Sequence, residues 1–178
     1  MTAPYEERVY FEDEMRSGTR TELKRRWTPK GHRPLSKVKI GYKFVYLYAA
    51  LNPYNGHLIA LLLPYMTKEC FAVFMNYFEQ QTKLKYGEQA VLMIADGATN
   101  HQKEVIESES IHLEKLPTAC PELNPAERFF EQLRTELSNE VFETIEAVEV
   151  FLIEILQKYF EQPQLICSLT NFPYIRRK

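Results

Sequence analysis

Three acidic residues lie where one predicted element gives way to the next. Asp13 follows the apolar run 9–11, Asp96 follows the apolar run 90–95, and Glu127 lies near the start of a predicted helix. Carboxylates at strand ends face the crevice where open α/β sheets bind ligands. Two carboxylates close together repel each other, and a divalent cation relieves that repulsion. If the first and fourth strands are adjacent and parallel, we therefore expect Asp13 and Asp96 side by side in a metal site.

Each of these acids also has a purely structural explanation. Asp96 precedes a glycine, as turn residues often do, and Asp13 belongs to a short acidic cluster. Asn124 and Pro125 are typical of the first positions of a helix. Glu127 then stands at the third helical position, where an acid suits the helix dipole. Spacing alone does not decide between a capping and a catalytic role.

The elements that must hold these acids follow an order typical of an α/β protein. The predicted strands are 9–11, 42–51, 57–63, 90–95 and 111–116, and the predicted helices are 67–84, 99–107, 124–137 and 145–160. The pair Asn55-Gly56 predicts a tight hairpin turn with positive φ angles between the second and third strands. Antiparallel strands followed by crossovers predict a mixed five-stranded sheet flanked by helices, the element order of the ribonuclease-H-like fold.

Composition limits the class of protein. The chain has 178 residues and 45% hydrophobic residues, enough for one packed domain. No apolar run approaches the roughly 20 residues of a membrane helix, and the N-terminal residues show no signal-peptide pattern. Cys70, Cys120 and Cys167 lack metal-ligand spacing. We expect a single cytoplasmic domain with reduced core thiols and no zinc site.

Positive charge is concentrated in the segment 16–43, which we call the basic arm. It carries ten basic residues against the single acid Glu22, a charge of +9, so the net charge of −2 leaves −11 for the rest of the chain. Such a segment is typical of phosphate contact, although a solvated loop is the simpler explanation. Trp27 either stacks on a base or packs as an anchor, and we slightly prefer packing. The candidate DNA-binding residues are Arg20, Lys24, Arg25, Arg26, Trp27, Lys30 and Arg33.

Three segments resemble the catalytic blocks of the mariner-like bacterial insertion-sequence transposases, a group of DDE transposases. They read Phe-Glu-Asp-Glu at 11–14, Ile-Ala-Asp-Gly-Ala-Thr-Asn-His at 94–101 and Leu-Pro-Thr-Ala-Cys-Pro-Glu-Leu-Asn-Pro-Ala-Glu-Arg at 116–128. The resemblance extends over nearly the whole chain, and the third block is the most specific. Three departures leave room for a decayed copy: Gly97 replaces the usual Asn, residues 118–120 replace Pro-Tyr-Ser, and Phe130 stands where Trp is common.

This resemblance implies a metal-dependent DNA endonuclease and strand transferase that acts on transposon ends. Asp13, Asp96 and Glu127 become the catalytic residues, which bind two Mg²⁺ or Mn²⁺ ions. Glu122 and Glu131 are rivals for the third place, but neither occupies the motif position. Secondary candidates are Glu14, His101 and Asn124.

The resemblance also implies partners. These are transposon-end and target DNA, a second protomer in the active complex, and a separate DNA-reading polypeptide or a longer version of the chain. The sequence starts only about ten residues before the first catalytic strand, so we expect residues 1–178 to form one catalytic domain without an N-terminal helix-turn-helix. The expected location is the bacterial cytoplasm, at the nucleoid. The competing interpretations are an inactive remnant that binds DNA or dimerises with full-length transposase, and a structure-selective nuclease.

Overall fold

The structure, a computed structural model, describes residues 5–96, 108–117 and 120–175. Within these ranges one sheet is covered by helices on both faces. The strands are β1 (Val9–Gly18), β2 (Phe44–Leu51), β3 (Leu58–Leu63), β4 (Val91–Ala95) and β5 (Ile111–Lys115). The α-helices are α1 (Lys68–Tyr86), α2 (Pro125–Leu137), α3 (Ile145–Glu161) and α4 (Pro163–Leu169), with 3-10 turns at Tyr5–Arg8 and Pro121–Leu123. The predicted helix 99–107 lies outside the described residues.

The strand order in the sheet is β3-β2-β1-β4-β5. The first three strands pair antiparallel, whereas β4 pairs parallel with both β1 and β5. The predicted mixed five-stranded sheet is confirmed, and so is the predicted parallel contact between the first and fourth strands. This contact matters for the site because it brings together two segments that are distant in the sequence.

β1 is longer than the sequence predicts. Its parallel pairing with β4 ends at Phe11 and Ile94, but its antiparallel pairing with β2 continues to Gly18. The acidic residues do not end the strand, because β2 supplies their backbone with hydrogen-bond partners on one side. Asp13 therefore lies inside β1, two residues past the point where β4 stops accompanying it.

Two apolar clusters hold the helices on the sheet. On one face, aromatic residues of α1 cover Tyr10 and Tyr48. On the other face, α2 and α3 cover β2. The α1 residues are Phe71, Phe74 and Phe78, whose spacing matches the helical period. Phe130, which stands where the resembling family often has Trp, is fully buried in the second cluster. That departure therefore fills a core position.

The turn between β2 and β3 is wider than a two-residue hairpin. It is closed by the backbone pairs Asn52 N to His57 O and Gly56 N to Asn52 O. Gly56 has a φ of +72° but Asn55 is not among the residues with positive φ, so the predicted pair of positive φ angles is wrong. Gly56 also lies directly against the start of α4, because a Cβ added at this position would lie 2.0 Å from the carbonyl oxygen of Pro163.

Two further expectations concern the placement of the cysteines and the lack of a membrane-spanning helix. Cys70, Cys120 and Cys167 form no disulfide, and all three are half-buried. The expected core placement holds only in part, because Cys70 packs against the cluster under α1 but none of the three is fully buried. Among the helices in the described ranges, none is both long enough and apolar enough to cross a membrane.

Candidate active site

Asp13 and Asp96 occupy equivalent positions on neighbouring parallel strands. Phe11 pairs with Ile94 at the end of the parallel ladder, and each aspartate follows two residues later. Asp13 is half-buried inside β1, whereas Asp96 is exposed just beyond the end of β4. The register thus directs both acids to the same edge of the parallel part of the sheet.

Glu127 approaches from the start of α2. Asn124 caps this helix, and Pro125 occupies its first position. Glu127 is the third helical residue, and its side chain is 40% exposed. The backbone of Glu127 is held in a fixed position, because the first turn of the helix packs on the sheet through the fully buried Ala126.

The electrostatics of Asp13 show that the other two candidate acids act on its carboxyl. Burial raises the pKa of the Asp13 carboxyl to about 7, and the charge of Glu127 is the next largest cause of that rise. Glu14 and Asp96 raise the pKa further. One hydrogen bond opposes the rise, since the Glu14 backbone amide donates to Asp13 Oδ1 at 2.8 Å. The rival acids Glu122 and Glu131 are not among the causes.

The donor set suits a hard divalent cation. Carboxylate oxygens are the ligands that Mg²⁺ and Mn²⁺ prefer, and a cation here would offset the repulsion felt by Asp13. Across residues 5–96, 108–117 and 120–175, no group of three or more His, Cys, Asp or Glu side chains stands ready to hold a metal ion. Asp96 is the last residue described before the gap at 97–107, and the secondary candidate His101 lies in that gap.

One arginine that the sequence analysis missed lies beside the third acid. Arg134 Nη1 is 3.8 Å from Glu127 Oε2 on the same side of α2. Because Glu127 and Arg134 are separated by about two helical turns, the sequence places them on the same side of a helix, and this spacing could have predicted their ion pair. Arg128 instead pairs with Glu131 at 3.0 Å. These side chains line a groove of about 360 Å³, together with Phe172.

The basic arm begins in β1 and continues as an irregular extension of the β1–β2 hairpin. At the base of the arm, the Thr19 backbone amide donates a hydrogen bond to the Lys43 carbonyl. The arm also contacts the end of α2 and the segment that follows. Lys24 Nζ donates to Thr135 Oγ1, and Lys39 Nζ pairs with Glu143 at 2.8 Å. All seven candidate DNA-binding residues are exposed: Arg20, Lys24, Arg25, Arg26, Trp27, Lys30 and Arg33.

Trp27 is fully exposed. The slight preference for packing is therefore wrong for the fold of this chain. An exposed indole beside basic residues is suited to contact with another molecule.

One family profile matches most of the chain. The profile of the family described as "DDE superfamily endonuclease" matches residues 8–149. The "Uncharacterized protein y4pE/y4sA" of Sinorhizobium fredii (strain NBRC 101917 / NGR234) is 28% identical over 127 residues, which cover 71% of this chain and 93% of that protein.

Among solved structures, the fold is similar to chains of the mariner Mos1 transposase. The Mos1 paired end complex with Mg matches with a TM-score of 0.69 at 16% identity, covering 94% of this chain and 55% of that one. The Mos1 strand transfer complex matches with a TM-score of 0.66 at 16% identity, covering 92% and 52%. The isolated Mos1 catalytic domain matches with a TM-score of 0.61 at 14% identity, covering 94% and 80%. The chain thus spans about half the length of the Mos1 chains in the two complexes.

Proposed function

The chain belongs to the DDE superfamily endonuclease family, and from this membership we propose that it is the catalytic domain of a transposase. It would cut DNA at transposon ends and join the freed ends to target DNA. The observation that carries the proposal is geometric: Asp13 and Asp96 each lie two residues past the last pair of the parallel β1–β4 ladder. Burial of Asp13 and the charges of Glu127 and Asp96 also raise the pKa of its carboxyl. Strongly perturbed acids of this kind are concentrated at functional sites.

We assign Asp13, Asp96 and Glu127 as the residues that would hold two Mg²⁺ or Mn²⁺ ions. Such ions activate the attacking oxygen and stabilise the leaving oxygen in phosphodiester chemistry. The role of the protein is to present the carboxylates from rigid elements: Asp13 from inside a strand and Glu127 from a capped helix. Glu14 supports Asp13 through its backbone amide.

The basic arm is the proposed contact for DNA. Its exposed arginines and lysines suit the phosphate backbone, and Trp27 suits stacking on a base. Binding of this kind depends strongly on salt and weakly on sequence. We assign recognition of the transposon-end sequence to a DNA-reading domain or polypeptide other than this fold, and we place the active protein at the bacterial nucleoid.

A second protomer is the other proposed partner. Exposed apolar side chains lie in the basic arm beside its charges, including Leu35 at 99% and Tyr42 at 82% exposure. Exposed apolar groups are more common at protein contacts than on isolated surfaces. We therefore propose that the arm also takes part in a homodimer of the active complex.

The test is cleavage of supercoiled plasmid DNA in Mn²⁺ or Mg²⁺. Asp13→Asn, Asp96→Asn and Glu127→Gln should each lose nicking while DNA binding persists. Glu131→Gln, on the same helix as Glu127, is the matched control and should nick normally. Unchanged cleavage by any of the three site variants would contradict the assignment.

A second assay separates the competing functions. Oligonucleotides with precleaved 3′-hydroxyl ends should become joined to plasmid DNA if the protein is a strand transferase. Nicking without joining would indicate a structure-selective nuclease. DNA binding with neither reaction would indicate an inactive remnant.

A further inference from the structure

Asn124 connects the two elements that carry Asp13 and Glu127. Its side chain is buried, with 3% of its surface exposed. Its Nδ2 donates to the backbone carbonyl of Glu12 in β1 at 3.0 Å, and its Oδ1 accepts from the backbone amide of Ala126 at 3.1 Å. One short amide is thus hydrogen-bonded at one end to the strand and at the other to the helix.

Helix capping explains only half of this arrangement. A cap requires an acceptor oxygen, which Ser, Thr or Asp also provides. Thr67 and Thr144 cap α1 and α3 in this way, through their side-chain oxygens. Asn124 adds a donor that reaches across to β1 at the residue just before Asp13. The helix does not need that second bond, so it requires another explanation.

We propose that Asn124 is a positioning residue that sets the placement of Glu127 relative to Asp13. The inference rests on the proposed function, because it concerns the same acids. Any movement of the start of α2 along β1 would stretch the bond to the Glu12 carbonyl, and in a buried site no water replaces it readily. Removing a group that holds a metal ligand in position without touching the metal typically lowers metal affinity or activity by about 10–100-fold.

The decisive variant is Asn124→Ser. Serine keeps an acceptor for the helix cap, but it is too short and lacks the amide donor for the Glu12 carbonyl. We expect the Mn²⁺ concentration that gives half-maximal plasmid nicking to rise at least about 10-fold. The rate should recover in part at high Mn²⁺, unlike that of Asp13→Asn. Mn²⁺ binding measured by calorimetry should weaken by a similar factor.

Thr144→Ala is the matched control. It removes the cap of α3, which is expected to cost about 1 kcal/mol of stability, but it leaves the start of α2 intact. Its melting temperature should fall while its Mn²⁺ dependence stays that of the wild type. A purely structural role for Asn124 predicts instead that both variants behave alike, with lower stability and unchanged Mn²⁺ dependence.

The outcomes separate this inference from the proposed function. If the wild type binds Mn²⁺ and nicks DNA, and Asn124→Ser does so at the same Mn²⁺ concentrations, the positioning role is wrong. If the wild type neither binds Mn²⁺ nor nicks DNA, the proposed function fails and the inference fails with it. Should Asn124→Ser not fold, Asn124→Asp keeps the side-chain length and the cap acceptor without the donor. Wild-type Mn²⁺ dependence in that variant would equally overturn the role.

Discussion

Glu127 lies near enough to Asp13 for its charge to raise the pKa of the Asp13 carboxyl, which burial already lifts above its usual range. One acid comes from the interior of β1 and the other from the first turn of α2. A like-charge pair in a half-buried position lowers the stability of the fold. Such an arrangement is characteristic of a site selected for chemistry.

Removal of the Asp13 charge should therefore stabilise the protein when no divalent cation is present. The folded-state pKa of about 7 exceeds the ordinary value of 3.8. The ionised carboxylate thus weakens the fold progressively as pH rises from about 4 through 7. Asp13→Asn should raise the free energy of unfolding at pH 8 by about 1–3 kcal/mol, with a smaller gain at pH 4.

Urea denaturation in EDTA measures this effect. Glu154→Gln, an exposed position on α3, is the control and should change stability little. Added Mn²⁺ should stabilise the wild type but not Asp13→Asn. Equal or lower stability of the variant at pH 8 would argue against a strained carboxyl.

His57 should make the protein less stable in mild acid. Burial, followed by the charge of Lys85, lowers the pKa of His57 from 6.5 to about 4. The unfolded chain therefore binds a proton at a higher pH than the folded chain. The stability contributed by neutral His57 is complete above pH 6.5 and is lost as pH falls toward 4.

A hydrogen-bond chain determines which ring nitrogen of the neutral His57 carries the proton. His57 Nδ1 lies 2.7 Å from the Tyr10 hydroxyl, which lies 3.0 Å from the Tyr86 hydroxyl, and the Tyr86 hydroxyl donates to the Glu7 carbonyl. Each tyrosine hydroxyl has one proton to donate. Tyr86 donates its proton to Glu7, so Tyr10 donates to Tyr86, and His57 Nδ1 must carry a proton that it donates to the Tyr10 hydroxyl.

His57→Gln should therefore lose less stability between pH 6.5 and 4 than the wild type does. His112→Gln, at an exposed position on β5, provides the comparison and should retain the wild-type slope. The measurement is urea denaturation at several pH values. Parallel curves for His57→Gln and the wild type would contradict a neutral, buried imidazole.

Neutralising the basic arm should weaken DNA binding without harming the fold. The double variant Arg25→Gln/Arg26→Gln removes two exposed charges. The slope of log affinity against log salt should become shallower by about 2 for a duplex of any sequence. Fluorescence anisotropy with a labelled duplex measures it. Lys68→Gln/Lys83→Gln on α1 removes equal charge outside the arm, and an equal loss of affinity there would remove the case for the arm.

Gly56→Ala should destabilise the protein more than Gly87→Ala. Both glycines have positive φ, +72° and +64°, so both variants incur backbone strain. Only at Gly56 would the new methyl meet a backbone atom, the Pro163 carbonyl, while nothing lies within 4 Å at Gly87. We expect a difference of about 2 kcal/mol in thermal unfolding. Similar losses of stability in Gly56→Ala and Gly87→Ala would show that α4 moves aside freely.

The sequence pattern predicted the sheet and most helices because their apolar periods are clear. It ended β1 too early, since Glu12 and its neighbours look like a solvated cluster, yet Glu12 is fully buried. It missed α4, whose seven residues are too few for a helical period. At the candidate site, the motif supplied the three acids that we propose as metal ligands, and it also predicted the Asn124 cap, which the structure contains. The bond from Asn124 to β1 was unpredictable, because no local pattern reports a contact with a distant strand.

The exposure of Trp27 gives the molecule a built-in optical reporter. It is the only tryptophan in the chain, and its indole is surrounded by solvent in the basic arm. Light emitted after excitation at the red edge of protein absorption therefore originates from the arm alone. Whatever the arm touches, nucleic acid or another subunit, will shift or quench that emission without any attached dye.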